Sequence, residues 1–352
     1  MVGSGALPAP GPGGREVRDY GAMAIGSQHL PGDLPVVPLG SSGIPVSRLA
    51  LGSWRTYERM SRERGLAVMW AAREAGITFL DDARYNDETG EAPIPSGYSE
   101  VVFGELLRAS GWQRDQVVVS NKLWWEFWPA QTPAQELAES LGRMGLEHID
   151  LIYSETPPAD VPLEDVVAMI TGLIGAGHAR AWGTLNWPPS LLAQACSIAA
   201  GAGVPGPCAT QLPYSLVTRD VVEDPAMAAV TGARDIAIVA SYALAGGVLT
   251  GKYARDPSAG RAAGQLDQAG YAAGAAAGRK LAALAAESGQ DPAQLAMAFV
   301  LSNPLVTTLL FGATRPEQVA ANVAARAVAA SLTADELARL RAIGSADSSA
   351  QG

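Results

Sequence analysis

Cysteine and histidine are scarce in this chain of 352 residues, which contains only Cys196 and Cys208 and only His29, His148 and His178. The two cysteines do not have the spacing of metal ligands, and three scattered histidines cannot complete a zinc site with them. So few cysteines suit a reducing compartment. We therefore expect no metal centre and a cytoplasmic protein.

Clusters of positive charge and long apolar runs are also missing. The chain has 25 Lys and Arg against 35 Asp and Glu, for a formal net charge of −10. Binding to nucleic acid needs a concentrated basic face, so nucleic acid is excluded as the expected partner. No apolar run is long enough to cross a bilayer, and the first thirty residues have no apolar segment typical of a signal peptide. We expect a soluble protein that takes a small-molecule substrate, of unspecified oligomeric state.

Two terminal segments are too poor in apolar residues to offset the entropy of ordering the chain. Residues 1–36 are rich in Gly and Pro, which predicts a disordered N-terminal tail, and residues 345–352 are small and polar, which predicts a flexible C-terminal tail. The chain is 48% hydrophobic, enough for a large core between the tails. Residues 37–344 are therefore predicted to form one domain.

Short apolar or β-branched runs alternate with helical patterns along this domain. The predicted strands are Val46–Gly52, Ile77–Asp81, Val117–Asn121, Ile149–Glu155, Ala179–Leu185, Ala209–Leu212, Ile236–Ser241 and Val306–Phe311. Eight strands that alternate with helices favour a single-domain α/β fold, a (β/α)8 TIM barrel, over an open sheet. An open dinucleotide-binding sheet would need a Gly-x-Gly-x-x-Gly turn after its first strand, and none is found there. The glycine-rich residues 273–278 are interpreted as a flexible loop or a weak helix start.

Polar residues follow several predicted strands, at the end of the barrel where active sites form. They include Asp81 at the end of the second strand with Tyr85 after it, Lys122 after the third, and Glu155 at the end of the fourth. A tyrosine hydroxyl beside a lysine and a buried carboxylate is a candidate proton donor, because the cation is expected to lower a pKa that starts near ~10. Taken singly, such residues are more often helix caps and packed aromatics, but their shared location on successive strand ends predicts a catalytic site.

Several segments resemble the aldo-keto reductase superfamily. They are Pro38–Ser47 with Leu51–Trp54 at the opening, Leu244–Tyr253 as the loop over the cofactor, and Gly312–Val319 with Asn322 as the adenosine-phosphate segment. The resemblance extends from about Pro38 to Ile343. It implies a TIM barrel that uses NADPH/NADP+ for hydride transfer.

Within this resemblance, Asp81 and Lys122 match two members of the catalytic tetrad, and Glu155 stands where the family usually has histidine. The family has one more residue between its Asp and its Tyr than separates Asp81 from Tyr85. Tyr85 is thus the tetrad tyrosine only if the turn has lost a residue, and Tyr98 is the alternative. A glutamate at this position occurs in family members that reduce steroid double bonds, and it can donate a hydrogen bond only when protonated.

The resemblance also implies a set of cofactor ligands. Asn186 and Gln211 match the ligands of the nicotinamide amide, and Tyr214 matches the aromatic residue that stacks on the nicotinamide ring. Arg315 lies at a helix N-terminus, where a 2′-phosphate contact would favour NADPH over NADH. The remaining expected cofactor ligands are Leu244, Gly246, Gly312, Thr314, Gln318 and Asn322.

Aromatic residues are concentrated near the same strand ends. Trp54, Trp124, Trp125 and Trp187 either plug the barrel mouth or line a pocket for a broad apolar or aromatic substrate. The insertion Asp87–Gly97 is predicted to fold over that mouth as a semi-rigid lid.

The resulting hypothesis is an NADPH-dependent oxidoreductase that reduces a conjugated C=C, a C=O or a C=N bond, with Tyr and Glu as proton donors. The alternative is a regulatory barrel that binds the cofactor with little turnover, as in the channel β subunits that resemble these reductases.

Overall fold

The computed structural model describes residues 34–256 and 269–344. Most of the predicted N-terminal tail and the whole C-terminal tail lie outside these residues. Two described residues that the sequence assigned to the tail are part of the fold, because Leu34 is buried in the core and Val36 pairs with Ser47.

A closed barrel of eight parallel strands forms the centre of the described chain, which confirms the predicted (β/α)8 fold. A two-stranded antiparallel hairpin, β1 (Val36–Pro38) and β2 (Pro45–Ser47), precedes it. The barrel strands are β3 (Leu49–Gly52), β4 (Phe79–Asp81), β5 (Val118–Leu123), β6 (Ile149–Ser154), β7 (Ala179–Leu185), β8 (Ala209–Pro213), β9 (Ala237–Ser241) and β10 (Val306–Gly312). They run in this order around the barrel, and β10 closes it by pairing with β3.

Helices cover the outside of the barrel. They are α1 (Arg62–Glu74), α2 (Tyr98–Ala109), α3 (Pro133–Met144), α4 (Leu163–Gly175), α5 (Pro189–Ala202), α6 (Pro225–Arg234), α7 (Lys252–Arg255), α8 (Ala269–Ser288), α9 (Pro292–Leu301), α10 (Pro316–Ser331) and α11 (Ala334–Gly344). Local sequence fixes several ends: α3 begins with a capping box between Thr132 and Gln135 and stops at Gly145, which is left-handed. The glycine-rich residues 273–278 lie inside α8 rather than in a loop.

The hairpin closes the N-terminal end of the barrel. Leu39, Ile44 and Val46 are buried in one cluster with the residues that fill the barrel interior. Gly40 makes this close approach possible, because a Cβ there would lie 2.2 Å from the carbonyl oxygen of Cys208. With this end closed, access to the interior is left to the end where the strands terminate, which is where the candidate site lies.

Candidate active site

A buried ion pair joins the ends of β4 and β5. Lys122 Nζ lies 2.7 Å from Asp81 Oδ2, and each side chain is only 3% exposed. The other carboxylate oxygen of Asp81 accepts hydrogen bonds from Ser120 Oγ at 2.6 Å and from Gln211 Nε2 at 3.4 Å. The carboxylate of Asp81 is thus held by side chains from two other strands, β5 and β8, and it fixes the position of the lysine.

Tyr85 reaches this ion pair despite its unusual spacing from Asp81. Lys122 Nζ donates to the Tyr85 hydroxyl at 3.4 Å. The alternative donor, Tyr98, starts α2, and its hydroxyl accepts a hydrogen bond from Arg62 while its ring lies under the same guanidinium. Only Tyr85 of the two candidates contacts Lys122, so the geometry supports an alignment in which the turn has lost one residue.

The protonation of Tyr85 differs from the sequence-based expectation. Burial, followed by the negative charges of Asp81 and Asp82, raises the pKa of Tyr85 well above its ordinary value, and a hydrogen bond from Ser53 only partly opposes this. The pKa of Tyr85 is therefore raised and not lowered as expected, because burial and the two carboxylates outweigh any effect of the neighbouring lysine. Tyr85 therefore keeps its proton near neutral pH, as a proton donor must.

Glu155 follows β6 at the rim of the site and is partly exposed. Its backbone N–H donates to the Leu123 carbonyl at 2.9 Å, which extends the pairing of β5 and β6 by one residue. Its carboxylate accepts hydrogen bonds from the Thr156 backbone N–H at 3.1 Å and from Asn186 Nδ2 at 3.4 Å. In both of these hydrogen bonds, the Glu155 carboxylate is the acceptor.

The two predicted nicotinamide-amide ligands are neighbours. Asn186 follows β7 in a left-handed conformation, with φ of 59°, and its backbone N–H donates to the Gln211 carbonyl at 3.0 Å. The Asn186 side chain is exposed at the mouth, whereas Gln211 is buried against Asp81. The structure thus places the Asn186 amide at the rim beside Glu155 and the Gln211 amide deeper in the barrel, against Asp81.

Tyr214 does not face the mouth, so the prediction that it stacks on a nicotinamide ring was wrong. Its side chain is fully buried, and its ring stacks on Phe299 with centroids 5.7 Å apart. Its hydroxyl donates to Glu223 at 2.7 Å and accepts from Asn303 at 2.9 Å. Tyr214 is therefore a core aromatic beneath α9 whose hydroxyl is satisfied.

Tyr242, which the sequence reasoning missed, is the aromatic residue that does reach the mouth. It follows β9 directly, is 38% exposed, and its ring centroid lies 6.5 Å from that of Trp54. Its position as the residue immediately after the predicted strand Ile236–Ser241 was the available signal, since strand ends line the site of a barrel.

The four tryptophans assigned to a substrate pocket divide into two groups. Trp54 is exposed at the mouth, and the partly exposed Trp124 packs against Tyr85 with ring centroids 6.1 Å apart. Trp125 and Trp187 are buried, so their assignment to the pocket was wrong: Trp125 donates to Ser154 at 2.9 Å, and Trp187 packs edge-on against another core tryptophan.

The loop from residue 242 to residue 251, which includes Leu244, has an unusual backbone. Gly246 and Gly247 have φ of 68° and 95°, a left-handed pair that side chains disfavour. A Cβ on Gly247 would lie 3.1 Å from Lys252 Nζ, so this ammonium group sits directly over the glycine backbone. Successive left-handed glycines next to a lysine form a suitable cradle for an anion.

The segment after β10 leads into the N-terminus of α10. Gly312 ends the strand, and Thr314 donates both its backbone N–H and its hydroxyl to Gln318 Oε1, at 2.7 and 3.1 Å. Arg315 is the exposed N-cap residue and makes no capping hydrogen bond with its side chain. Asn322 is buried two turns into the helix. The N-terminus of a 16-residue helix beside an exposed arginine suits a phosphate group.

The insertion Asp87–Gly97 forms an ordered loop at the edge of the site. Asn86 and Ser96 pair across its base, and the Gly97 backbone N–H donates to the Tyr85 carbonyl at 2.8 Å. Glu88 within it is ion-paired with Arg55 at 2.6 Å and Arg59 at 2.8 Å. The loop is therefore attached to the β3–α1 connection next to Trp54, and its action as a lid stays a prediction.

The described residues contain neither a group of three or more His, Cys, Asp or Glu side chains that could hold a metal ion, nor a helix long and apolar enough to span a membrane.

Comparisons with known proteins show what the chain is similar to. The profile of the "Aldo/keto reductase family" matches residues 48–345. A probable voltage-gated potassium channel subunit beta of Oryza sativa subsp. japonica is 32% identical over 323 residues, which covers 87% of this chain and 95% of that protein.

Two further relatives carry similar descriptions. A putative voltage-gated potassium channel subunit beta of Schizosaccharomyces pombe is 33% identical over 326 residues, covering 86% of this chain and 91% of that protein. A probable voltage-gated potassium channel subunit beta of Arabidopsis thaliana is 30% identical over 305 residues, covering 82% and 89% respectively.

Proposed function

The chain belongs to the aldo/keto reductase family, and from this premise we propose that it is an NADPH-dependent oxidoreductase that reduces a small apolar or aromatic substrate. The observation that carries the proposal is the buried Asp81–Lys122 pair in contact with the Tyr85 hydroxyl. A purely structural barrel has no need of a desolvated lysine, because burying an ion pair seldom adds stability over apolar residues.

The described residues fit the cofactor. The left-handed glycines 246 and 247 with Lys252 offer a site for a diphosphate, and Arg315 at the N-terminus of α10 offers one for a 2′-phosphate. Tyr242 at the mouth presents a ring for stacking, with the amides of Asn186 and Gln211 to hold a carboxamide. NADPH, when bound, supplies the hydride for the reduction.

The protein's own part in the reaction is to place and supply a proton. Asp81 holds Lys122, and Lys122 donates to the Tyr85 hydroxyl, which keeps that hydroxyl directed at the centre of the mouth. When Tyr85 gives its proton to the reduced substrate, the phenolate that remains is stabilised by the Lys122 cation, whose Nζ lies 3.4 Å from the tyrosine oxygen.

Glu155 decides which bond is reduced in this proposal. In its protonated form, the Glu155 carboxyl beside the Asn186 amide donates to the carbonyl oxygen of an enone together with Tyr85, which draws hydride to the β-carbon. Simple carbonyls and imines can use the same donors. The substrate pocket is formed by Trp54, Trp124 and Tyr242, whose rings offer a large apolar contact area.

The reaction class is tested with Glu155→His. This change restores the family's usual residue, and we expect it to move activity from conjugated double bonds toward simple carbonyls. The measurement is kcat/KM of both proteins for NADPH-dependent reduction of cyclohexenone and cyclohexanone. If the ratio of kcat/KM for cyclohexenone to kcat/KM for cyclohexanone is the same in both proteins, Glu155 is a structural substitution that does not set the reaction class.

A second function is supported by the three relatives described as potassium channel β subunits. In that case the barrel binds the cofactor and regulates a partner with little turnover. The two functions are separated by measuring whether NADPH is oxidised in proportion to the enone, aldehyde or imine that is added. Tight binding of NADPH without oxidation by any of these substrates would support the regulatory protein and refute the reductase.

A further inference from the structure

Arg84 is a buried cation directly before Tyr85 that the proposed mechanism does not use. Its side chain is only 3% exposed, so its guanidinium group depends on protein partners in place of water. Arginine suits such a position, because its five N–H donors lie in a fixed plane and can bond several segments of the chain at once. The partners of Arg84 lie in the segment that follows Tyr85 and in the segment that follows Lys122.

One side of the guanidinium group holds the base of the insertion together. Arg84 Nη1 donates to Ser96 Oγ at 2.8 Å and lies 3.5 Å from Asn86 Oδ1. These two partners also pair across the base of the insertion, and the Gly97 backbone N–H donates to the Tyr85 carbonyl at 2.8 Å. Arg84 therefore fixes both the backbone that leaves Tyr85 and the backbone that returns beside it.

The other side of the guanidinium group reaches the connection between β5 and α3. Arg84 Nη2 donates to Glu126 Oε2 at 2.8 Å, and the guanidinium carbon lies 5.0 Å from the centre of the Phe127 ring. Asn86 Nδ2 donates to the other carboxylate oxygen of Glu126 at 3.1 Å. Two hydrogen bonds to one carboxylate thus join the turn that holds Tyr85 to the connection after β5.

Glu136, in the first turn of α3, extends these contacts to the wall of the mouth. Its side chain is 5% exposed, and its Oε1 lies 3.6 Å from Arg84 Nη2. The same oxygen accepts a hydrogen bond from the Trp124 backbone N–H at 2.9 Å, and Oε2 accepts one from the Trp125 backbone N–H at 3.4 Å. Trp125 has a left-handed φ of 61°, which is costly for a bulky residue and persists only where the surroundings hold it. Glu136 gives this support, and it thereby places Trp124, whose ring packs against Tyr85.

We propose that Arg84 and Glu136 are positioning residues, which keep the Tyr85 hydroxyl within reach of Lys122 and keep the Trp124 ring against Tyr85. The inference rests on the proposed function, since it takes Tyr85 as the proton donor and Trp124 as part of the substrate pocket. Arg84 and Glu136 act from beneath the mouth, because their side chains are almost completely buried. Their effect on the reaction passes through Tyr85 and Trp124.

A second ion pair, at the opposite end of the barrel, provides the matched control. Arg114 lies just before β5, and its Nη2 is 2.7 Å from Oδ2 of the buried Asp150. Its guanidinium group also donates to the backbone carbonyls of Val117 and His148, at 3.0 and 3.2 Å. The Nε atoms of Arg84 and Arg114 are alike in being buried without a hydrogen-bond partner among the described residues. Replacing Arg114 therefore removes comparable contacts at a distance from the site.

The first test compares crystal structures of the full-length protein and needs no turnover. In Arg84→Met, the distance between the Tyr85 oxygen and Lys122 Nζ should increase from 3.4 Å to beyond hydrogen-bond reach, whereas in Arg114→Met it should stay unchanged. If Arg84→Met does not fold, Arg84→Lys takes its place, because it keeps the charge and loses the planar fork that bonds two segments at once. A Tyr85–Lys122 distance equal to that of the wild type in the Arg84 variant overturns the proposal.

The second test uses NADPH-dependent reduction of 4-nitrobenzaldehyde as a probe. Arg84→Met should lower kcat by roughly tenfold or more, because a displacement of about 1 Å at a reacting group can cost ~100-fold. The Kd for NADPH should stay the same, and Arg84→Lys should recover part of the lost kcat. Arg114→Met should keep the wild-type kcat, although it too lowers the unfolding temperature.

Two further variants show whether the effect passes through Tyr85 and Trp124. In a Tyr85→Phe background, Arg84→Met should lower kcat no further, because the residue through which it acts has already lost its hydroxyl. Glu136→Gln should raise KM for 4-nitrobenzaldehyde more than KM for propanal, because a displaced Trp124 ring offers less contact to an aromatic substrate. If Arg84→Met lowers kcat by the same factor with and without the Tyr85 hydroxyl, its role is only structural and the proposal fails.

These outcomes separate the positioning role from the proposed function. A wild-type protein that binds NADPH but reduces no probe refutes the reductase, and the crystal structures then decide alone whether Arg84 positions Tyr85. A wild type that turns over, with Arg84→Met as active as Arg114→Met, refutes the positioning role and leaves Tyr85 as the donor.

Discussion

The burial of the Asp81–Lys122 pair leads to a prediction about the stability of the protein that does not depend on the identity of the substrate. Both side chains are 3% exposed and lie 2.7 Å apart, so removing one partner leaves the other charge in the interior. Breaking such a pair costs about 3–5 kcal/mol in other proteins. We expect Asp81→Asn and Lys122→Met each to destabilise the barrel by an amount in that range.

The structure also predicts which single variant is the less harmful. After Asp81→Asn, Lys122 keeps the Asp82 carbonyl at 3.2 Å and the Tyr85 hydroxyl at 3.4 Å, both weak partners for an ammonium group. After Lys122→Met, Asp81 keeps a strong donor in Ser120 at 2.6 Å. Lys122→Met should therefore cost less. The double variant should be more stable than the sum of the single effects predicts, by about 2 kcal/mol or more.

The assay is urea-induced unfolding followed by tryptophan fluorescence, with the four proteins of the double-mutant cycle compared under one condition. An exposed pair, Arg339 and Glu287 at 2.5 Å with 57% and 62% exposure, provides the matched control. Its coupling energy should lie between 0 and about 1 kcal/mol. Additive effects at Asp81 and Lys122, within about 0.5 kcal/mol, would refute the view that this pair is desolvated.

Three further predictions concern the site. Tyr85→Phe should lower kcat by at least ~100-fold while the Kd for NADPH stays the same, and Tyr98→Phe should leave kcat nearly unchanged; the reverse result would move the proton donor to the insertion. Arg315→Ala should reduce the preference for NADPH over NADH in fluorescence titrations, and an unchanged affinity ratio would exclude Arg315 as the phosphate ligand. Tyr242→Ala should weaken NADPH binding, whereas Tyr214→Phe should lower the unfolding temperature only; equal Kd values for Tyr242→Ala and wild type would refute stacking.

The fold was predictable because the strands of a parallel barrel are buried on both faces and form continuous apolar runs. All eight runs correspond to barrel strands. The run Val46–Gly52 hides a boundary, since Val46 belongs to the hairpin and Leu49 to the barrel, and the Arg48 backbone N–H between them donates to the Pro35 carbonyl. The break is set by pairing with the segment just before β1. The pattern of apolar residues along the run does not reveal such pairing.

The proximity of Asp81 and Lys122 was predictable, because both residues lie at the ends of neighbouring barrel strands. The placement of aromatic residues was not predictable, because an aromatic residue occurs in the same sequence pattern whether it packs in the core or lines a pocket. Tyr214 is buried because α9 brings Phe299 over it, and Trp125 because Ser154 of the neighbouring strand accepts its indole N–H. These contacts depend on packing between segments far apart in the sequence.

The shortened spacing before Tyr85 and the insertion after it form one structural change. The Tyr85 backbone N–H donates to the Ala83 carbonyl at 3.0 Å, which tightens the turn after β4, and the Tyr85 carbonyl accepts from Gly97 at the far end of the insertion. Arg84, buried between them, bonds Ser96 at 2.8 Å and Glu126 at 2.8 Å. Because these bonds anchor the backbone on both sides of Tyr85, the inserted loop helps to hold the Tyr85 hydroxyl within reach of Lys122.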